Sequence, residues 1–140
     1  MRYWDASALV ALLVDESFTA AARTAIAEDP AVVTWWGSKI ECTSAVSRLE
    51  RGSSLSVSEA RVALSILDDL AERWHEILPS EAVRETACRL LRVHSLRAAD
   101  ALQLSAAIAM TGGQPGGFGF LAFDERLRDA AAREGFDVGP

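Results

Sequence analysis

Short apolar runs recur along this chain, and most of them hand over at once to a stretch with helical spacing. "RYWD" at the start, "AVVTW" after Pro30, "HEILP" after Trp74 and "FGFLAF" after "TGGQPGG" read as strands, and "FDV" near the end reads as a short fifth. Between them lie "ASALVALLVDE", "SFTAAARTAIAED" with Ser17 as its cap, "SKIECTSAVSRLER" closed by Gly52 and "SVSEARVALSILDDLAERW". "SEAVRETACRLLRV", "RAADALQLSAAIAM" and "DERLRDAAAREG" complete the helical set. Short strands alternating with helices predict an α/β domain with a mostly parallel sheet, covered on both faces and joined by right-handed crossovers. At 140 residues, 50% of them hydrophobic, the chain suffices for one domain with a substantial core, spanning 1–140.

Several function classes drop out on composition. The longest apolar stretch, "ALQLSAAIAM", is broken by Gln103 and Ser105 and falls short of the ~20 residues a membrane span needs. No leader-like pattern precedes Asp5, so a cytoplasmic protein without a membrane partner is expected. Cys42 and Cys88 have no CxxC or Cys/His spacing, and His75 and His94 are isolated, so reduced structural cysteines are expected and a histidine-based metal site is not. There is no GxSxG elbow for a serine nucleophile. "TGGQPGG" follows a helix and leads into a strand, the reverse of a phosphate-cradling loop, and reads as a connector. A net charge of −6 argues against a general nucleic-acid coat protein. It leaves room for a nuclease whose acidic pocket is flanked by arginines such as Arg48, Arg51, Arg92 and Arg97.

Four acids stand out, and each has an ordinary explanation. Asp5 and Asp124 fall at strand-to-helix junctions, where aspartate caps helices. Glu41 lies three residues after Ser38, the spacing of a capping box. Asp100 falls in the first turn of its helix within reach of Arg97, yet shares a face with Leu104, Ala107 and Ile108, which places a charge among groups meant for the interior. Together the four acquire a second reading. Helices that leave parallel strands, and helices that feed them, begin at the carboxyl edge of the sheet, so all four acids face one rim. If the first and fourth strands are neighbours, that rim contains the crevice where the strand order reverses. Carboxylates crowded there raise one another's pKa unless a cation offsets them, and an all-oxygen donor set suits Mg²⁺ or Mn²⁺. The chemistry then available is hydrolysis of a phosphodiester.

With those residues in place, the chain resembles the PIN-domain ribonucleases, and among them the VapC toxins of bacterial toxin–antitoxin pairs. The resemblance runs nearly end to end, through "YWDASALVALL", "WWGSKIECTSAVSRL", "LRAADALQLSAA" and "LAFDERLRDAAAREGF". It implies a three-layer α/β/α fold with a central parallel sheet of strand order 3-2-1-4-5. It implies metal-ligand roles for Asp5, Glu41, Asp100 and Asp124, and a Mg²⁺-dependent endoribonuclease, with Mn²⁺ as substitute. It also implies a homodimer, an RNA substrate and a cognate VapB-type antitoxin. Ser7 matches the hydroxyl residue that orients the first acid or binds metal through water. Arg97 would orient Asp100, meet substrate phosphate or form only a helix-end ion pair. One position departs from the pattern: many relatives carry Thr or Ser two residues before the last acid, where this chain has Ala122, so Asp124 is expected to lose a supporting hydrogen bond. Trp35 is expected to pack the interior, while Trp36 either stacks a base or packs.

Two rival readings make different demands. An aspartate-nucleophile phosphatase of the haloacid dehalogenase type needs a second acid two residues after Asp5 and a downstream lysine. Ser7 stands in the acid's place, and Lys39 is the only lysine. A catalytically inert PIN-fold interaction module would retain the four acids as helix caps and bind no metal.

Overall fold

The structure is a computed structural model and describes residues 1–139. Four strands, β1 (Arg2–Trp4), β2 (Val32–Trp35), β3 (His75–Ile77) and β4 (Gly119–Leu121), form an all-parallel sheet in the order β3-β2-β1-β4. Seven helices surround it: α1 (Ala6–Leu13), α2 (Thr19–Glu28), α3 (Ser38–Arg51), α4 (Val57–Ala71), α5 (Glu81–Val93), α6 (Ala98–Met110) and α7 (Glu125–Arg133). The expected fold class and strand order hold for these four strands. The expected fifth strand, "FDV", lies where it was placed, beside β4, but shrinks to one parallel bridge between Gly119 and Asp137. Only Asp137 exchanges backbone hydrogen bonds there, with Phe118 and Phe120, before Gly139 turns the chain at φ +66.

Successive strand residues point to opposite faces, and the two cores show it. Tyr3 and Val33 pack with α5, α6 and α7 through Val83, Leu90, Leu104 and Leu127. Trp4 and Val32 pack on the other side with α1 to α4, against Leu9, Ala22, Val46 and Leu67. Trp35 is buried in the first cluster, as expected, and Trp36 is 49% exposed beyond the end of β2. Gly37, the next residue, lies so close to the Trp35 indole that a Cβ would overlap it. The glycine-rich connector between α6 and β4 takes positive φ at Gly113 and Gly117, with open space around both, and feeds the start of β4. It therefore sits at the amino edge of the sheet, the opposite rim from a strand-end crevice.

Local capping departs from expectation in two places. Ser17 does not cap α2: the residue before the helix is Phe18, and Thr19 organises the turn by accepting from Glu16 N and donating to Val14 O. Ser38 and Glu41 form no capping box, because α3 is preceded by Gly37 and both side chains are drawn inward to other partners. At the far side of the molecule the ends of α5 and α7 are tied together. Arg89 donates twice to Glu134, at 3.1 and 2.9 Å, and His94 Nε2 lies 2.7 Å from the same carboxylate.

Candidate active site

The connections at the carboxyl edge are short, and that is what assembles the site. Asp5 is the single residue between β1 and α1, and its backbone N–H still donates to Leu121 O of β4 at 3.0 Å. Asp124 is the residue before α7, just past the end of β4. Because β1 and β4 are neighbours, the two acids leave the sheet side by side. Glu41 comes in from the first turn of α3 and Asp100 from the first turn of α6. All four line one cleft of about 390 Å³, together with Ser7, Glu16, Arg48 and Arg97. A larger groove of about 770 Å³ runs past Trp36, Ile40 and Arg51 on α3, but none of the four acids lines it. The smaller cleft is the candidate site, since it is the one in which these four carboxylates meet.

Each acid has its own environment. Asp5 is buried and its Oδ1 accepts from Ser7 Oγ at 2.6 Å and from Ala8 N at 3.1 Å, capping α1. Burial dominates its titration and pushes its pKa up to about 7 despite those two donors. Glu41 is raised by burial and by the charge of Asp100, against the donor Gln103. Asp100 is raised by burial and by Asp124, and lowered by Arg97 and Arg126. Its Oδ2 lies 3.9 Å from Arg97 Nε on a largely exposed arginine side chain. Asp124 Oδ1 accepts from Leu127 N at 2.9 Å and caps α7. Ala122 is fully buried and supplies only its carbonyl, to Arg128 at 3.2 Å.

Ser7 makes a second contact: its hydroxyl accepts from Phe123 N at 2.9 Å while donating to Asp5. The first helix thus holds the loop that carries Asp124. Phe123 in turn stacks on Phe18, centroids 4.5 Å apart, and both rings line the cleft. Beneath Glu41 sits a residue that the sequence reading treated only as an interruption in an apolar run. Gln103 is 1% exposed, and its Nε2 donates to Glu41 Oε2 at 2.5 Å. The available signal was an amide three residues after Asp100, on the same side of a helix otherwise made of Ala and Leu. Cys42 is enclosed nearby, and burial with the charges of Glu41 and Asp5 pushes its thiol up to about 12, leaving it inert.

The cleft's donors are oxygens only. Among the described residues no three His, Cys, Asp or Glu side chains stand close enough together to enclose a metal ion as placed. Each acid is instead engaged with a protein donor. The donor chemistry still fits a hard divalent cation, because three of the four carboxyls are raised by burial and each of those three also by a neighbouring acid of the set, a cost a cation would relieve. The demands of an aspartate-nucleophile phosphatase are not met: Lys39 pairs with Asp68 at 3.2 Å on the surface and does not line the cleft.

Residues 2–133 match the model of the PIN domain. Two curated relatives from Mycobacterium tuberculosis strains, named Ribonuclease VapC45 and Ribonuclease VapC49, are each 30% identical over 138 residues, covering 99% of this chain and 94% of theirs. The fold is similar to the crystal structure of Mycobacterium tuberculosis VapC20, described as a sarcin–ricin loop cleaving toxin, with a TM-score of 0.68, 23% identity and full coverage of both chains.

Proposed function

Because the chain belongs to the PIN domain family, we propose that it is an endoribonuclease toxin of the VapC kind, dependent on Mg²⁺ or Mn²⁺ and restrained by a cognate VapB-type antitoxin. The observation that carries this reading is the meeting of Asp5, Glu41, Asp100 and Asp124, from four separate parts of the chain, in one open cleft. A homodimer in the cytoplasm completes the proposal. No helix among the described residues is long and apolar enough to cross a membrane.

Those four carboxylates are the residues that would hold the cation. A bound divalent ion supplies charge neutralisation and Lewis acidity toward a phosphodiester. The chain's own residues do the rest. Arg48 and Arg97 line the cleft and give an RNA phosphate its cationic contacts at an otherwise acidic mouth. Ser7 commits its proton to Asp5, so that acid presents its remaining oxygen in a fixed direction. Phe18 and Phe123 close one wall with apolar surface, which keeps water from one side of the carboxylates.

One observation favours the inert interaction module: every acid of the set already has a protein partner. A single experiment separates the two readings. Purified, antitoxin-free protein is incubated with mixed cellular RNA and Mg²⁺ or Mn²⁺, beside an EDTA control and Asp100→Asn. Discrete fragments that vanish with EDTA and in the variant support the nuclease. Intact RNA, together with no Mn²⁺ uptake by calorimetry, supports the inert module.

A further inference from the structure

Under the cleft floor runs a buried polar chain with only one consistent direction. Glu41 as a carboxylate only accepts, so the amide group facing it at 2.5 Å is the Gln103 NH₂. The second hydrogen of that NH₂ goes to Ser38 Oγ at 3.0 Å. Thr34 Oγ1 donates to the Trp4 carbonyl at 2.7 Å, so in its 2.7 Å contact with Ser38 the serine is the donor. The other end of the amide, Gln103 Oε1, accepts from the Tyr3 hydroxyl at 2.6 Å. Tyr3, Thr34, Ser38 and Gln103 are each at most 1% exposed, so the bonds among them are made out of reach of water, and the bond to Glu41 is the one that reaches the cleft.

We infer that Gln103 is a positioning residue for Glu41, turned by Tyr3 so that it holds Oε2 and leaves Oε1 for the cation. The inference rests on the reading of the cleft as a metal centre. Turning the amide over would set its oxygen against the carboxylate, and Tyr3 is the group that prevents this by donating to that oxygen. Gln103 lies three residues beyond Asp100 on α6, so the helix that delivers Asp100 also sets the direction of Glu41 on α3. Supporting residues of this kind change metal affinity without touching the metal.

The test measures Mn²⁺ affinity by calorimetry and the melting temperature with and without Mn²⁺, on the full chain. Gln103→Met keeps the volume and removes the amide, and is expected to weaken Mn²⁺ binding by about 10-fold or more. Tyr3→Phe leaves Gln103 in place without its orienting donor and is expected to weaken binding by roughly 3- to 10-fold. Ser105→Ala is the control. Its hydroxyl is equally buried on α6 but donates to Val83 O at 2.5 Å, away from the acids, so the variant melts lower while binding Mn²⁺ as the wild type does. If Gln103→Met or Tyr3→Phe lowers the metal-free melting temperature but keeps wild-type Mn²⁺ affinity, the network is structural only and the inference falls. Should Gln103→Met not fold, Tyr3→Phe decides alone. Wild-type protein that takes up no Mn²⁺ overturns the metal-centre reading itself and this inference with it, a result visible without any variant.

Discussion

Asp5 and Glu134 are both carboxylates partly or wholly withdrawn from water, and their surroundings drive their protons in opposite directions. At Glu134, Arg89 and His94 supply donors and the pKa is lowered from its ordinary value. At Asp5, burial outweighs two neutral donors and raises it to about 7. The clamp is therefore satisfied by the protein alone, whereas the cleft gathers negative charge that the protein only partly compensates. A region completed from within holds the fold together; a region left electrostatically incomplete is where a cation or a substrate changes the energy most.

Removing charge from the cleft should have the largest effect. Asp100→Asn is expected to lower RNA cleavage by at least ~100-fold, because changing a group that only supports a metal ligand already costs about 10–100-fold and this change removes one of the proposed ligands. A gel assay of fragment yield against time checks it, and cleavage within a few-fold of wild type would put Asp100 outside the site.

Stability should move the other way at the same rim. The Asp5 carboxyl is raised when folded, so its contribution is fully present below pH 4 and is lost as pH rises toward and through about 7. Asp5→Asn keeps the acceptor for Ser7 and Ala8 and removes the charge. In EDTA at pH 8 it should stabilise the protein by up to ~4 kcal/mol, and with Mg²⁺ supplied it should lower cleavage as Asp100→Asn does. Denaturant melts at pH 5 and pH 8 test the sign: a variant no more stable than wild type at pH 8 would mean the buried charge is already compensated.

Glu134→Gln probes the satisfied carboxylate. Loss of its charge-assisted contacts should destabilise by roughly 1–3 kcal/mol at pH 7, with cleavage at saturating metal nearly unchanged. The pH dependence is opposite to that of Asp5, since a lowered carboxyl pKa contributes above the ordinary carboxylate range and is lost as pH falls through its folded value. Parallel pH–stability curves for the two variants would erase the contrast.

The smallest change belongs to Arg97→Ala. With a side chain 86% exposed and a 3.9 Å contact, its stability effect should stay within about 0.5 kcal/mol. A rise in KM for RNA at constant kcat would assign it to phosphate contact, and no kinetic change would leave it a helix-end pair.

What the sequence made legible follows the range of the interactions involved. Strand and helix order, the caps at Asp5 and Asp124, the burial of Trp35 and the shared rim of the four acids all follow from local pattern or from parallel topology. Ser38 and Glu41 matched a local motif and were claimed instead by Gln103, 65 and 62 residues away in sequence. Gln103 looked like a blemish in an apolar helix because its partner Tyr3 is 100 residues distant. "FDV" had strand-like composition, but Gly139 turns the chain two residues after Asp137 and leaves it no length in which to pair.

The bond from Phe123 N to the Ser7 hydroxyl bears on the order in which the protein is made. Synthesis delivers Asp5 well before Asp124, and β1 gains β4 as its second neighbour only after α6 and the connector have emerged. Most of the core on the α1 to α4 side can form early, whereas the cleft cannot, because its closing contact joins residues 116 apart in sequence. A nascent or truncated chain ending before Phe123 lacks both the hydroxyl's second partner and the fourth acid. A ribosome producing this protein thus carries no finished cleft until Phe123 and Asp124 have emerged.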